Sequence, residues 1–410
     1  MAWRNIWRNT RRTVLTTGAI CFACVLLIFM LSFQFGSYAT MINASVKIHT
    51  GHLQVQAVGY HEKKRMRMVV PNPSYIASII DAIDKVSAFT YRANAFSLVS
   101  SENRTYGALV LGIDPKGEAE VSTLKQTTFA GGYFPDTPDD QDLVPALVGR
   151  LLAGNLGVSV GSELTIMGQG RDGSMAATVA KVIGIYKSGL DDFDRNTVQI
   201  PLKRFQEIYA MDRAVHEVVI IGDTLKAIPG IKSAVMAGIS EKYPDADLAV
   251  LDWEALVPGL RQAISMDLIM GVIMYLILVI VVAFSILNTF LMAIFERTHE
   301  FGVLMAIGTK PGRLTKVLVA ESAMLTLMGI LSGMIAGALI TLYFQSNGID
   351  LSGSSDLLSQ YGISGNIYPR LSMFTLVAGP AAVFIITILS ALYPALKIRR
   401  MKPLEAMSHV

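Results

Sequence analysis

Leu268–Phe295 reads LIMGVIMYLILVIVVAFSILNTFLMAIF, 28 residues without one Asp, Glu, Lys or Arg. A helix needs about 20 apolar residues to cross the hydrocarbon of a bilayer. Three further runs share the property, Thr13–Val46, Ser322–Ile349 and Leu371–Leu396. Between Lys47 and Asp267 no comparable run occurs, which predicts four spans and one large water-exposed domain between the first two. The fold class expected is thus integral membrane and α-helical, with a mixed α+β extracytoplasmic domain. Composition agrees, with 52% hydrophobic and 16% charged residues against about 25% charged in ordinary globular domains. A net charge of +3 is too small to suggest a nucleic-acid partner. The two cysteines, Cys21 and Cys24, both fall in the first run, so a disulfide framework in the outer domain is excluded.

Orientation follows from Lys and Arg near the span ends. Arg4, Arg8, Arg11 and Arg12 precede the first run, and Arg297, Lys310, Arg313 and Lys316 follow the second. Lys397, Arg399, Arg400 and Lys402 follow the fourth, whereas the third and fourth are joined past Arg370 alone. Both termini and the middle connection are therefore expected in the cytoplasm. The organisation expected is a cytoplasmic amphipathic helix at 1–12, a first span with an outer extension at 13–46, and the outer domain at 47–265. A second span at 266–295, a cytoplasmic connection at 296–316 and a third span at 317–346 follow. A short outer loop at 347–370, a fourth span at 371–396 and a cytoplasmic tail at 397–410 complete it. Thr10–Leu15 resembles a twin-arginine signal, with Ser37-Tyr38-Ala39 as a cleavage site. The apolar run is longer than the about 7–15 residues of a signal peptide, so a retained anchor is expected.

Trp3, Ile6 and Trp7 make one face of the N-terminal helix, suited to the headgroup layer. In the outer domain Gly51–Val58, Leu109–Ile113, Leu143–Val148, Glu163–Met167, Val179–Tyr186 and Val215–Ile221 read as strands. Pro73–Ile83 has helical spacing, and Leu256–Ile264 reads as the start of a helix leading into the second span. Pro135, Pro138, Asp139 and Asp140 mark a candidate subdivision near 135. Gly329, Gly333 and Gly337 recur every four residues in the third span, a stripe that lets a neighbouring helix approach closely. Asn288 and Thr289 are expected to face protein, and Glu321 to snorkel to the cytoplasmic interface.

Candidates for chemistry are few. There is no Gly-Lys dipeptide and hence no Walker A phosphate loop. His49, His52 and His61 lie near the membrane exit, but their spacing fits no standard zinc pattern, and no metal site is expected. Asp191, Asp192 and Asp194 read as a solvated loop rather than a calcium site. Lys63, Lys64, Arg65 and Arg67 suit either phosphate headgroups or a solvated face. No nucleophile, base and orienting group assemble, so the chain is not read as an enzyme.

The cytoplasmic connection Glu296-Arg297-Thr298-His299-Glu300-Phe301-Gly302-Val303-Leu304-Met305-Ala306-Ile307-Gly308 resembles the loop of the FtsX/MacB/lipoprotein-release permease family. Ala2–Asn9 with Arg12-Thr13, and Tyr393-Pro394-Ala395 with Pro403-Leu404-Glu405-Ala406, resemble the two ends of that family. Gly112-Ile113-Asp114-Pro115, Val121-Ser122-Thr123-Leu124 and Gly131-Gly132-Tyr133-Phe134 are similar to the lipoprotein-releasing permeases of the group. The resemblance implies a permease of an ABC transporter in a bacterial inner membrane, moved by mechanical transmission from a separate ATPase subunit. That ATPase would hold ATP and Mg, with no cofactor on this chain. Arg297, Glu300, Phe301, Leu304, Met305 and Ile307 would then couple to it. The other partners implied are a second copy of the chain or a related permease, membrane lipids, lipoprotein cargo and a periplasmic carrier. Phe29, Phe33, Met274 and Leu278 would line a cavity for acyl chains between facing protomers. Alternative outcomes are a MacB-like efflux permease with an adaptor, and an FtsX-like signalling permease that activates a cell-wall hydrolase. Around Met167–Thr178 the family's carrier-recruiting hairpin is Pro-rich, whereas here Gly168, Gly170 and Gly173 stand without proline.

Overall fold

A computed structural model describes residues 10–135, 143–244, 246–350 and 366–398. The N-terminal amphipathic helix with Trp3, Ile6 and Trp7, and the tail from 399 on, lie outside the described residues. So do residues 136–142, where the candidate subdivision falls. Two compact units are present, one holding the chain to Tyr38 with Ile264–Asp350 and the segment from Asn366, the other Ala39–Ala263.

In hydrocarbon every backbone N–H and C=O needs a partner within its own segment, so apolar runs of this length become helices. Four helices are long and apolar enough to cross a membrane, within Thr13–Thr50, Pro258–Glu296, Pro311–Asn347 and Met373–Leu392. The third begins with Pro311, whose missing N–H costs nothing in a first turn. It stops at Gly348, where φ is +75° and the N–H closes on the Phe344 carbonyl at 2.9 Å. Ile20, Cys24 and Leu27 of the first span meet Ile286 and Phe290 of the second, Leu325 of the third and Val383 of the fourth in one apolar cluster.

The second unit is built on ten strands: β1 (Leu53–Ala57), β2 (Val86–Ser100), β3 (Thr105–Ile113), β4 (Thr128–Gly131), β5 (Val144–Gly149), β6 (Glu163–Gln169), β7 (Met175–Tyr186), β8 (Thr197–Pro201), β9 (Glu217–Gly222) and β10 (Leu248–Asp252). The helices that pack on them include α1 (Pro73–Ile80), α2 (Pro115–Val121), α3 (Arg150–Leu156), α4 (Leu202–Ile208) and α5 (Ile228–Lys242). The 15-residue β2 organises the unit. Its first half pairs with β9, extending an antiparallel sheet in the order β10-β1-β9-β2. Its second half pairs with β3 on one edge and β6 on the other. From there β3-β8-β5-β7-β6 runs back to β2, so six strands close on themselves. Six strands enclose less space than the eight of a common small barrel. The interior is accordingly rich in alanine, with Ala93, Ala95, Ala108, Ala146, Ala176 and Ala180 alongside Val110 and Val182. The open sheet instead buries larger residues, Val55, Val218 and Ile220, against Ile76 of α1 and Ile231 and Val235 of α5.

The opposite face of the open sheet is polar and buried. Arg92 reaches Glu118 of α2 through two nitrogens, Nε to Oε2 at 2.8 Å and Nη2 to Oε1 at 2.6 Å. Glu217 accepts from Asn94 Nδ2 at 2.8 Å and from Lys64 Nζ at 3.3 Å. Burial would raise the Glu217 carboxyl, but the neighbouring cations, Lys64 first among them, hold it below its ordinary range.

Candidate functional site

The cytoplasmic connection between the second and third spans is a short helix, Thr298–Ala306, set off by a break at each end. Arg297 leaves helical geometry (φ −108°, ψ 9°) and separates it from the second span. At its far end Gly308 takes φ +98°, a left-handed backbone that suits glycine. The Gly308 N–H bonds the Met305 carbonyl at 3.0 Å and the Thr309 N–H bonds Leu304 at 3.0 Å, satisfying two orphan acceptors of the last turn. Lys310 is extended, and Pro311 opens the third span.

The structure divides the six candidate coupling residues between two faces. Phe301 and Met305, four apart, turn inward and pack with Ile294, Leu314 and Leu318. Arg297 also turns inward; it is 4% exposed, and its Nη1 lies 3.2 Å from Oε2 and 3.4 Å from Oε1 of Glu321. Glu321 therefore does not snorkel; it is buried in this pair within the third span. Glu300, Leu304 and Ile307 face outward together with Val303, Ile307 being 78% exposed. The surface open to a partner is thus apolar along Val303, Leu304 and Ile307, with His299 and Glu300 beside it.

The glycine stripe of the third span faces the first. A Cβ at Gly329 would stand 2.7 Å from Ile20 Cβ, one at Gly333 2.6 Å from Cys24 Cβ, and one at Gly337 3.1 Å from Ile28 Cδ1. At Gly329 and Gly333 this is closer than side chains pack, so the seam there needs glycine, while at Gly337 a methyl would press on Ile28. Of the candidate cavity residues, Phe29 stacks edge-on against Phe344 at 5.6 Å and beside Phe33 at 6.4 Å. Met274 is exposed on the second span, and Leu278 packs on the span cluster. Asn288, expected to face protein, is exposed, while Thr289 bonds back to the Ser285 carbonyl at 3.0 Å.

A polar clamp joins the first and second spans where sequence reading picked out nothing. Tyr38 Oη donates to Asp267 Oδ2 at 2.5 Å, Gln34 Nε2 to the same oxygen at 3.1 Å, and Tyr275 Oη to Gln34 Oε1 at 2.7 Å. Its signal in the sequence is the i, i+4 pair Gln34 and Tyr38 in a run free of charge.

His49 and His52 go to separate partners, and His61 Nδ1 is buried with no hydrogen-bond partner. The His52 ring accepts the Gly222 N–H at Nδ1, 3.1 Å, and meets Asn43 Oδ1 at Nε2, 3.2 Å; His49 Nδ1 lies 3.3 Å from Arg92. Burial, with Lys47 nearby, brings His52 down to about 4. Among the described residues no three His, Cys, Asp or Glu side chains converge as a metal site would require. Asp191–Asn196 is a helical turn rather than a solvated loop, because Asp194 is buried and accepts the Ser188 N–H at 2.9 Å. The Met167–Thr178 region is the β6–β7 hairpin, and Met167 and Met175 are exposed on it.

Two family models match the chain: the MacB-like periplasmic core domain over residues 13–237, and the FtsX-like permease C-terminal region over residues 272–403. The chain belongs to the FtsX/MacB permease family. It is an ABC transporter permease, an inner-membrane protein with a periplasmic domain, and the second unit described above is that domain. The chain is 24% identical over 316 residues to the lipoprotein-releasing system transmembrane protein LolC of Xylella fastidiosa, covering 74% of this chain and 73% of that one. It is 23% identical over 419 residues to the pyoverdine export ATP-binding/permease protein PvdT of Pseudomonas aeruginosa, covering 99% of this chain and 58% of that one. The periplasmic region of MacB from Actinobacillus actinomycetemcomitans overlays 53% of this chain and 94% of its own length, with TM-score 0.38 and 13% identity.

Proposed function

We propose that this permease releases lipid-anchored proteins from the outer leaflet of the inner membrane, driven by ATP and Mg bound on a separate ATPase subunit. The observation that carries the reading is the similarity to a lipoprotein-releasing permease over about three quarters of both chains. The motif Gly112-Ile113-Asp114-Pro115 supports it, closing β3 and opening α2 with Asp114 accepting the Gly117 N–H. The outward strip of Val303, Leu304 and Ile307 is the docking surface for the ATPase, seated in an apolar groove. The exposed flank of the second span, with Met274 and Asn288, faces a second copy or a related permease, since a polar side chain in lipid favours a protein partner. Phe29, Phe33, Met274 and Leu278 become one acyl-chain cavity only in that pair. The apolar strand face with Phe96, Leu98, Met167 and Met175 is where a periplasmic carrier would take the cargo.

The test is co-expression with the ATPase of its gene neighbourhood, purification in mild detergent, and mass spectrometry of what is retained with and without ATP and vanadate. Acylated proteins retained without nucleotide and depleted on turnover are the expected result. The match to an exporter along 99% of the chain favours a second reading, efflux of a small molecule. Hydrolysis with no acylated cargo and with a periplasmic adaptor in the complex would select it.

A further inference from the structure

Arg297 is the most deeply buried cation of the membrane unit whose contacts are described, and it is placed where the coupling helix meets the spans. It ends the second span and caps the coupling helix, its carbonyl accepting the Phe301 N–H at 3.0 Å. Its side chain leaves that element altogether and pairs with Glu321 inside the third span. Both side chains are about 5% exposed. The contact uses one nitrogen, since Nε and Nη2 of Arg297 are buried with no hydrogen-bond partner. Guanidinium and carboxylate normally meet as a two-pronged fork, as Arg92 and Glu118 do in the other unit. Leaving two buried nitrogens without an acceptor is unfavourable, so this geometry belongs to a pair that gains bonds if the short helix moves against the third span.

We propose that Arg297 and Glu321 form a latch with two settings, held by one nitrogen in the resting state and by a fork once the ATPase displaces the coupling helix. The latch makes the displacement of the short helix a displacement of the third span. Phe301, Met305 and Leu314 provide an apolar hinge around it, and apolar contacts alone have no direction with which to transmit a pull. The Gly329–Gly337 seam then carries the movement on to the first span. Arg297 and Glu321 are thus positioning residues for coupling, and their role rests on the ATPase-driven reading above.

The experiment uses the full chain with Cys21→Ala and Cys24→Ala, co-purified with its ATPase and carrying a spin label at Tyr343→Cys on the exposed outer half of the third span. ATP with vanadate should change the label's spectrum. In Glu321→Gln and in Arg297→Gln, hydrolysis should stay within about twofold while the spectral response falls about tenfold. The reversed pair Arg297→Glu/Glu321→Arg should recover most of the response. A full response in both single variants overturns the latch, and so does equal loss of hydrolysis and response in every variant. If no ATPase binds the unaltered chain, the ATPase-driven reading fails instead. The latch is then judged on the chain alone, by the distance between labels at Leu304→Cys and Leu331→Cys. That distance should broaden in either single variant, and an unchanged distribution overturns the proposal.

Discussion

The two units solve packing in opposite ways. In the periplasmic domain, apolar burial against water drives assembly, so large residues such as Ile220 and Val235 specify which helix lies on which strand. In the membrane unit lipid is as apolar as leucine, and burial alone discriminates nothing. There, specificity comes from what is absent, the side chains of Gly329, Gly333 and Gly337, and from a few polar contacts such as Tyr38–Asp267 and Arg297–Glu321. Among the described residues each unit also holds a buried arginine–glutamate pair, made through two nitrogens of Arg92 in the first case and one nitrogen of Arg297 in the second. A finished pair fixes a structure; an unfinished one leaves room to move.

The comparison breaks most visibly at Arg92. Arg92→Met leaves Glu118 buried without its cation and should cost about 3–5 kcal/mol, whereas Arg92→Met/Glu118→Met should recover most of it. Thermal unfolding followed by circular dichroism in detergent reads the difference, and equal losses in the two variants would contradict it. Next comes the seam. Gly333→Leu forces a branched side chain against Cys24 and should destabilise the membrane unit by about 2–3 kcal/mol. Gly18→Leu, in the first span with nothing within 4 Å, should be close to neutral in the same assay.

Protons distinguish the units at intermediate size. Burial brings His52 and His216 to about 4 in the folded domain, below the ordinary value of about 6.5. The unfolded chain then binds more protons than the folded one between those values, so stability is fully present above pH 6.5 and falls as pH drops toward 4. At pH 5 each histidine should remove about 1–2 kcal/mol, and His216→Gln should flatten that slope in a pH series of unfolding midpoints. The smallest stability effect is expected at the outward coupling strip. Leu304→Asp or Ile307→Asp should shift permease stability by no more than about 0.5 kcal/mol, yet abolish co-purification of the ATPase. Retention of the ATPase in both variants would remove the strip from the docking surface.

The spans were legible because absence of charge over such lengths has no other stable outcome in lipid. The strands β6 and β7 were legible from alternation, since each has one face on the barrel interior, and β5 as a continuous apolar run covered on both faces. β2 was not, because VSAFTYRANAFSLVS carries Arg92 and Asn94 where a core strand should be apolar. Its burial depends on Glu118 and Glu217, which only the tertiary fold brings near. α5 did carry a signal, Ile228, Ile231, Val235 and Ile239 at helical spacing behind Pro229, although its polar residues disguise it as a loop. At the coupling helix the apolar residues were visible but their division was not. Which of Phe301, Leu304, Met305 and Ile307 turn inward depends on the break at Arg297, and that follows from a carboxylate 24 residues away.

One feature of the periplasmic sheet bears on how the protein is made. β1 leaves the membrane early, yet both of its neighbours, β9 and β10, lie far down the chain, with Val55 opposite Val218 and Val250. At about 5–20 residues per second of synthesis, the strand waits roughly 8–33 s for β9 and roughly 10–40 s for β10. During that interval an extended apolar edge is open on the far side of the membrane, a template for pairing with any other unfinished chain. The six-stranded barrel, whose strands all fall between β2 and β8, has no such wait and can form first. Its second product is the protruding first half of β2, a ready edge on which β9 and then β1 can be captured.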